Sequence, residues 1–557
     1  MSVKRKVYYA DFETTQPDAN NRVRVYLWCL IDGKTKRHGF DIESFITEVN
    51  RLGKCVIYFH NLRFDFSYIH YYLLKHNIEC DVLEKQGVIY TVHFGKIELR
   101  DSMNFMPMTL KEVGENYCNF YKKTSIDYNV GWDHEATPIE IEYCYNDCYV
   151  LMEGLTNYFD ALHEVLINAG CVNTADKLHK KLTNAGIAYE AFKELSEFEH
   201  CCPKTTQKEY ELYKDAYKGG FVYSNPQGIV KDVQMIDCNS MYPFMYSTID
   251  MPIGRGIPCL NEEELKRFKF YIIHVVIQYD LKPGYIPIIG GGVGRYGGIN
   301  YKAYSDDYEE LTLASQDFEL IKLFYNIDYK FVWGVGFDTM PAMFKKYADT
   351  FIKVKNKEKG IKRQVAKVLL NSPYGKTAMN GFNEIRSYEI DEITETVKGR
   401  VTGYEVDFDS YQYLPIAIAI TASARHYLLA TAEQIGFENV YYMDTDSIKF
   451  KNCETGIVYD SNTLGAWKDE GLVKYFKTIA PKKYVYFNAN GDFKINFTCA
   501  GFNKKVLVAN MHHTQRVLRK NALELMRQFD KGFTLDCLQS KVVKGGRALL
   551  TVKKVIK

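Results

Sequence analysis

Short apolar runs that break off at carboxylates recur along this chain. Val440-Tyr441-Tyr442-Met443 stops at Asp444-Thr445-Asp446, and a second strand-like run, Ile448-Lys449-Phe450, follows. The pattern predicts a hairpin whose turn carries two carboxylates, and strand alternation sets Asp444 and Asp446 to one side and Thr445 to the other. Val233-Gln234-Met235-Ile236 reads as a buried strand ending at Asp237, ahead of Cys238-Asn239-Ser240-Met241-Tyr242-Pro243. Near the start, Val7-Tyr8-Tyr9-Ala10-Asp11-Phe12-Glu13 reads as a strand with Asp11 and Glu13 on one face. Val56-Ile57-Tyr58-Phe59 is another, leading through His60-Asn61 into a helix with Asp65 near its start.

Three stretches have helical spacing. Thr137-Pro138-Ile139-Glu140 is a capping box with proline in the first turn. Its helix brings Tyr143 and Asp147 onto one face. Over Ile361 to Lys376, Arg363, Lys367, Asn371 and Tyr374 share one face, while Val365, Val368 and Leu369 turn to the core. Pro373 interrupts this helix: without an N–H, and with its ring against the previous turn, it costs about 3 kcal/mol in a helix interior, so a kink or end is predicted between Leu369 and Pro373. After Pro415, Ile416 to Gln434 places Thr421 and Arg425 on one face, suited to phosphate contacts or, equally, to a cap or salt bridge.

These elements carry a consistent chemistry. Paired carboxylates repel one another and are costly without a cation, so they point to Mg²⁺ and phosphoryl transfer. Asp237 can complete a two-metal site with Asp444 and Asp446, with Tyr242 closing the floor of a pocket; the plainer alternative is a strand-to-helix turn capped by Asp237 and Ser240. Cations one turn apart on the basic helix are tolerable when a polyanion lies across them. A nucleoside triphosphate fits, with Tyr374 and Tyr242 against its base and sugar. Asp11, Glu13, Asp65 and Asp147, from three elements, can hold two metal ions that activate a water and stabilise a leaving 3′ oxygen. Alternatively, Asp65 is a helix-start charge and Asp147 a solvated helix residue.

The motifs DCNSMYP (237–243), KVLLNSPYGK (367–376) and YMDTDS (442–447) resemble the three polymerase motifs of family B DNA polymerases, and most closely those of the protein-primed enzymes of small tailed bacteriophages. YKGGF (217–221), TASAR (421–425), KKY (482–484) and TCAGF (498–502) follow the same family order, and DFETT (11–15), YFHNLRFD (58–65) and YCYND (143–147) resemble its three 3′–5′ exonuclease motifs. Pro373 departs from the family, which usually has leucine or another helix former there. The resemblance implies an α/β and α+β multidomain protein: an RNase H-like 3′–5′ exonuclease domain followed by a right-hand polymerase domain (palm, fingers and thumb) with two family-specific insertions. It implies catalytic roles for Asp11, Glu13, Asp65 and Asp147, with Tyr143 orienting the attacking water. Single-strand contacts are implied for Thr14, Tyr58, His60, Asn61, Phe64, Ser102 and Met103, the last standing where relatives have leucine. In the polymerase half, Asp237 and Asp446 are the expected principal metal ligands with Asp444 beside them. Lys367, Arg363 and Lys355 hold the triphosphate, and Tyr242, Tyr374 and Asn371 complete the nucleotide site. Tyr217, Gly219, Gly220, Phe221, Ser240, Thr421, Arg425, Lys482 and Tyr484 are expected to contact DNA.

The boundaries that follow are 1–175 for the exonuclease domain, 176–248 and 411–515 for the palm, and 249–342 for an insertion contacting a terminal protein. Residues 343–378 are assigned to the fingers, 379–410 to a strand-separating hairpin containing the strand-like Glu384-Ile385-Arg386-Ser387-Tyr388, and 516–557 to the thumb. The first unit is expected to end between Asn168 and Leu182. The cluster Gly290 to Gly298 has no Gly-Lys-Ser/Thr after it, so it reads as a flexible insertion loop rather than a phosphate loop.

Length and composition agree without leading. A chain of 557 residues suggests three or four structural units. The net charge of +2 is small for a DNA binder, but distribution matters more. Lysines and arginines crowd Lys345 to Lys367, and the tail is basic again at Lys504, Lys505, Arg516, Arg519, Lys520, Lys541, Lys544, Arg547, Lys553 and Lys554, which suits a phosphate track. The 14 cysteines are scattered without a Cys-x-x-Cys pair and read as reduced thiols rather than a zinc site or disulfide frame. The start, MSVKRKVYYADFE, reaches a carboxylate before any signal-length apolar stretch, and no run is long enough to span a membrane. A bacterial host cytoplasm is the expected setting.

The expected function is templated DNA synthesis on a linear phage-type genome, primed by a terminal protein, with 3′–5′ proofreading and processive strand displacement. Two Mg²⁺ ions are expected per site, with Mn²⁺ able to substitute. Expected partners are template/primer DNA, dNTPs, the terminal protein in a 1:1 heterodimer with an otherwise monomeric chain, and phage single-strand and double-strand DNA-binding proteins. The rivals are a conventionally primed family B polymerase, for which Asp11 leaves no room for the usual preceding domain, an exonuclease with a non-functional polymerase half, and a non-catalytic nucleic-acid binder, which needs no acidic clusters.

Overall fold

In a computed structural model the chain is described over residues 5–85, 87–293, 299–407, 410–488, 495–499, 522–528 and 533–556. The first unit is built on a seven-stranded mixed sheet in the order Lys36–Gly39, Val25–Ile31, Lys6–Thr14, Cys55–Phe59, Ile97–Asp101, Val88–Phe94, Asp81–Lys85. Its centre is parallel, Lys6–Thr14 with Cys55–Phe59 and the latter with Ile97–Asp101. Helices cover both faces, which is why Val25–Ile31 is buried along its whole length rather than alternating. On one side Phe45, Leu62, Phe66 and Ile69 pack on Ala10, Phe12, Ile57 and Phe59. On the other, Cys144, Tyr145 and Cys148 of the long helix Pro138–Asn168 pack on Tyr26, Leu27 and Cys29. That helix begins with the expected capping box: Thr137 Oγ1 accepts the Glu140 amide at 3.3 Å, and the Glu140 carboxylate accepts the Thr137 amide at 2.8 Å. It ends at Asn168 with Gly170 at φ +82, inside the predicted boundary interval.

A second seven-stranded sheet, antiparallel throughout, runs Ile495–Cys499, Lys483–Asn488, Trp467–Ala480, Val230–Cys238, Ser447–Lys451, Val440–Asp444, Val222–Ser224. The helix Leu414–Ile435, buried continuously from Leu414 to Ala422, packs against the Ile236 and Ile448 face. Asp237 therefore looks out on the opposite, open face.

Between these strands the chain makes three excursions. Residues 251–340 form a sheet of their own, ordered Met251–Cys259, Tyr325–Met340, Phe270–Leu281, Glu309–Ala314. Here the glycine cluster departs from the expected loop: Ile289–Val293 is a strand paired with Ile299–Lys302, because the Ile289 and Gly290 backbone pairs with Lys302 and Tyr301, while 294–298 lie outside the described residues. Next come two packed helices, Lys345–Lys357 and Gly360–Asn371, the second opening on Gly360 at φ +57. The second stops at Asn371 and a 3₁₀ turn, Tyr374–Ala378, follows Pro373, as proline requires. Third is the hairpin Phe382–Ile390 with Val397–Val406, which contains the expected strand over 384–388.

The hairpins fold back onto the first unit. The Tyr388 ring meets the edge of His70 at 4.7 Å and its hydroxyl donates to Glu84 at 3.1 Å. At the C-terminal end, the hairpin Phe533–Val543 with Gly546–Ile556 docks through the Val23 amide on the Lys544 carbonyl at 3.0 Å, and Lys544 pairs with Glu395 at 2.5 Å. The end of TCAGF (500–502) and the basic residues Lys504, Lys505, Arg516, Arg519 and Lys520 lie outside the described residues.

Candidate active sites

Strand pairing brings the first acidic pair together. Ser447 stands opposite Asp237, and the amide of Cys238 donates to the carbonyl of Asp446 at 2.7 Å. The hairpin differs from the expected alternation: its strand ends at Asp444, Thr445 is left-handed at φ +57, and Asp446 lies in the turn. The two carboxylates are thus presented by the end of a strand and its turn rather than aligned along one strand. Burial, Asp446 and Glu470 push Asp237 up to about 6, and burial and Asp444 also raise Asp446. Asp444 meets Lys482 Nζ at 2.8 Å through both oxygens. Gly220 makes the turn possible. A Cβ there would fall 2.5 Å from Thr445 Oγ1, and the Thr445 amide donates to the Phe221 carbonyl at 2.9 Å. Of the paired glycines in YKGGF, Gly220 is the one that admits the Thr445 side chain; a Cβ on Gly219 would meet nothing within 4 Å.

The basic helices lie next to this pair. Lys355 Nζ donates to Asn239 Oδ1 and Ser240 Oγ, each at 3.1 Å, and burial together with Arg363 and Lys367 lowers its pKa. Arg363 donates to the Lys355 carbonyl at 2.6 Å, and Asn371 Nδ2 to the Lys367 carbonyl at 2.8 Å. Tyr374 has left the helix, yet its ring lies 4.3 Å from that of Tyr242, tilted by 35°. Ser240 stands at the N-cap position of the helix Met241–Thr248 but is left-handed at φ 56 and its side chain makes no capping hydrogen bond, so the simple capping alternative fails for it.

Two expected DNA contacts are turned inward. Thr421 is buried and its hydroxyl donates to the Ala417 carbonyl at 3.0 Å, as a threonine inside a helix commonly does. Arg425 is only 7% exposed. Its guanidinium forks onto Asp317 at 2.9 and 2.6 Å and donates to the Gly219 carbonyl at 2.8 Å, so the salt-bridge alternative holds and Arg425 positions the YKGGF segment. Phe221 is buried, and Tyr217 is half-buried. Lys482 has φ +59 and its amide donates to the Tyr442 hydroxyl at 2.9 Å; the Tyr484 ring is 4.8 Å from Tyr442.

The second acidic group gathers around Lys6–Thr14. Asp11 and Glu13 stand opposite Cys29 and Leu27, facing the helix that carries Tyr143 and Asp147. Asp65 is buried in the first turn of the helix Leu62–Lys75, while Asp101 is the group that accepts the Asn61 and Leu62 amides, at 3.0 Å each. Burial and Asp147 push Asp11 up to about 7, and burial with neighbouring carboxylates holds Glu13 and Asp65 well above the usual range. Asp147 is 1% exposed, ruling out a solvated role; Lys123 donates to its Oδ2, while its buried Oδ1 has no partner among the described residues. Tyr143 and Tyr128 share a hydroxyl hydrogen bond of 2.6 Å. Sequence reasoning missed Lys123, which lies in a polar stretch with no periodic signal.

Asp11, Glu13 and Cys144 offer atoms within 4.8 Å of one another. The Cys144 thiol is held protonated by burial and donates to the Asp11 carbonyl at 3.5 Å, so the carboxylates are the fitting ligands for a hard cation. Unpaired Oδ1 of Asp147 and the crowding of raised carboxylates fit divalent metal. Nearby, His60 bridges Ser102 Oγ and the Met108 carbonyl at 2.8 Å each, and burial lowers its pKa to about 4. Tyr58 and Ser102 are buried beneath it rather than offered to a strand, whereas Thr14, Asn61, Phe64 and Met103 reach the surface.

Two groups of carboxylates, one at the first sheet and its helices and one at the second sheet beside a cationic helix pair, have the chemistry that an enzyme of nucleic-acid phosphoryl transfer needs. The chain matches the family of DNA polymerases of type B, organellar and viral, over residues 50–137 and 130–455, and belongs to it. It is a DNA-directed DNA polymerase, and the implied kinship with bacteriophage polymerases of this family is borne out by its relatives. The DNA polymerase of Bacillus phage Nf is 27% identical over 87% of each chain. That of Bacillus phage phi29 is 27% identical over 90% of this chain and 92% of the relative, and that of Streptococcus phage Cp-1 is 24% identical over 86% and 88%. A solved structure of phi29 DNA polymerase with primer-template DNA and incoming nucleotides superposes with a TM-score of 0.84 at 23% identity over the whole of both chains. The expected fold is thereby met: an exonuclease domain ahead of a palm, fingers and thumb. Use of divalent metal is general to such polymerases. Among the described residues no helix is long and apolar enough to cross a membrane.

Proposed function

We propose that this polymerase starts replication of a linear phage-type genome on a hydroxyl of a terminal protein, extends it with strand displacement, and proofreads through its N-terminal unit. Asp237 and Asp446, with Asp444 beside them, would hold two Mg²⁺ ions at the synthetic site; Asp11, Glu13, Asp65 and Asp147 would hold two at the trimming site. Bound there, the metal supplies Lewis-acid stabilisation of charge on the transferring phosphoryl group. Lys355, Arg363 and Lys367 clamp the triphosphate, an electrostatic contribution preorganised by the Lys355 bonds to Asn239 and Ser240. Tyr242, held against Tyr374, lies beneath the sugar and leaves no room for a 2′ hydroxyl. At the trimming site the Tyr143 hydroxyl orients the attacking water, while Lys123 balances Asp147. Residues 249–342 are assigned to terminal-protein contact, 379–410 to strand separation, 343–378 to the fingers, 176–248 and 411–515 to the palm, and 516–557 to the thumb. The setting is the cytoplasm of a bacterial host.

The observation that carries this reading is the adjacency of Asp237 and Asp446: Asp237 pairs with Ser447 across the strands, and the neighbouring Cys238 amide donates to the carbonyl of Asp446 in the turn. Asp446→Ala should abolish primer extension and leave single-strand degradation, and Asp11→Ala with Asp65→Ala the reverse. If either change removed both activities in a folded protein, two separate sites could not stand. Protein priming is tested by mixing the enzyme with its genome's terminal protein candidate, labelled dATP and Mg²⁺; absence of a covalent protein–nucleotide adduct with every dNTP would return the chain to conventional priming.

A further inference from the structure

Lys449 is a cation with no ion-pair partner among the described residues, buried under the synthetic site. It lies on the strand Ser447–Lys451, opposite Met235 and paired with Tyr442, and it is 3% exposed. Strand alternation puts it on the same open face as Ser447 and Asp237, while Ile448 and Phe450 point to the core. Its ammonium lies 5.0 Å from the Tyr442 ring centroid and 4.9 Å from that of Tyr484, and makes one hydrogen bond, to Ser447 Oγ at 3.2 Å. Two aromatic faces and a hydroxyl are a weak substitute for water around an ammonium. What keeps it charged is the field of Asp444, Asp237, Asp446 and Glu470, against a burial that lowers its pKa to about 8. An apolar side chain would fill the same cage between Tyr442 and Tyr484 with no desolvation cost, so the charge needs an electrostatic reason.

We propose that Lys449 is a built-in counter-cation of the synthetic metal site: its fixed charge offsets the mutual repulsion of Asp237, Asp444 and Asp446 and weakens their grip on divalent metal when no nucleotide is bound. This rests on the assignment of those carboxylates as the metal ligands. Lys482 already neutralises Asp444 from the solvent side, but at half exposure it is free to swing away, whereas Lys449 is locked by its cage. Metal must then arrive largely with the triphosphate, whose own charge outweighs the lysine.

The test is Mn²⁺ binding followed by electron paramagnetic resonance, on full-length protein carrying Asp11→Ala and Asp65→Ala so that the trimming site does not contribute. In this background Lys449→Met and Lys449→Gln should bind Mn²⁺ about tenfold more tightly without nucleotide, the order expected for removing one unit charge from a partly solvated site. Lys449→Arg should bind as the parent does. The Mg²⁺ concentration for half-maximal extension should fall in the same order. The glutamine variant retains a partner for Ser447 and serves if the methionine variant does not fold. Unchanged or weaker Mn²⁺ binding in the neutral variants overturns the proposal. Adding Asp446→Ala separates the two claims: if it leaves Mn²⁺ binding intact, the ligand assignment fails, and if it removes binding while Lys449 has no influence, only the lysine's role fails.

Discussion

Adding a single methyl group at Gly220 should disable synthesis without touching degradation. A Cβ at this position would stand 2.5 Å from Thr445 Oγ1, 2.8 Å from its Cγ2 and 3.0 Å from its Cβ. Ordinary contact lies near 3.5–4 Å, so the Thr445 side chain would have to retreat by roughly 1 Å. Thr445 cannot do so alone, because its amide is tied to the Phe221 carbonyl at 2.9 Å and its left-handed backbone sets the positions of Asp444 and Asp446. The overlap should cost about 1–3 kcal/mol in stability. A displacement of this size at the metal-holding turn should lower the rate of nucleotide addition about 10²-fold. Primer extension and single-strand degradation measured on the same preparation of Gly220→Ala read the two sites separately. Thr445→Ala removes Oγ1 and Cγ2 and leaves only the 3.0 Å approach, so the double variant should recover much of the lost extension. Wild-type extension by Gly220→Ala, or strict additivity in the double variant, would show that the YKGGF segment does not set the turn.

Three further outcomes follow from the buried charges and the helix end. Lys123→Met leaves Asp147 buried without its cation, so urea unfolding should show a loss of about 3 kcal/mol, and degradation should fall at least tenfold while extension persists. Because the Asp11 carboxyl is raised in the folded protein from 3.8 to about 7, the metal-free fold binds protons more tightly than the unfolded chain across that window. The stability this supports is fully present below about pH 4 and is lost progressively as pH rises to about 7, so the midpoint of thermal unfolding in chelator should fall across that range and level off above it, where Mg²⁺ should raise it most; Asp11→Asn should flatten this trend. Pro373→Ala lets the helix run beyond Asn371 and carry Tyr374 away from Tyr242, raising the KM for dNTP severalfold with a smaller change in kcat, and an unchanged KM would remove Tyr374 from the nucleotide site.

Strands, helices and their caps were legible because each is a local pattern. Val7 to Glu13, Val56 to Phe59, the Thr137 capping box and the Pro373 break all depend on side chains within one or two turns of each other. Alternation failed at Asp446 because a two-residue turn with Thr445 at positive φ replaces the strand there, and threonine is not a residue that announces such a backbone. Thr421 and Arg425 were correctly placed on one helical face, but the composition of that face does not say what covers it. The covering group, Asp317, lies 108 residues away in a separate sheet unit. The first part of the glycine cluster, up to Val293, is strand rather than loop for a related reason, since a run of glycines has no side-chain period and is recognised only by its partner.

The same limit hides the counter-charge role of the lysines at both acidic centres, Lys482 being expected only as a DNA contact and Lys123 not at all. Four carboxylates around Asp11, and three around Asp446, are each a net repulsion that a chain must tolerate before any metal arrives. In each centre one carboxylate has a direct ammonium partner: Lys123 for Asp147, and Lys482 for Asp444. Neither lysine comes from the strand or helix that presents the acids, so neither shows in a periodic reading. Their exposures differ, with the Lys123 side chain at 24% against 50% for Lys482. A buried partner is screened less by salt than an exposed one. Raising ionic strength should therefore weaken the Lys482 pair first, leaving the synthetic carboxylates to the caged Lys449 while the trimming site keeps its own counter-charge. Metal binding at the two centres should then respond differently to salt, with the synthetic site the more sensitive, and equal salt dependence of Mn²⁺ affinity at both would show that the lysines do not govern either.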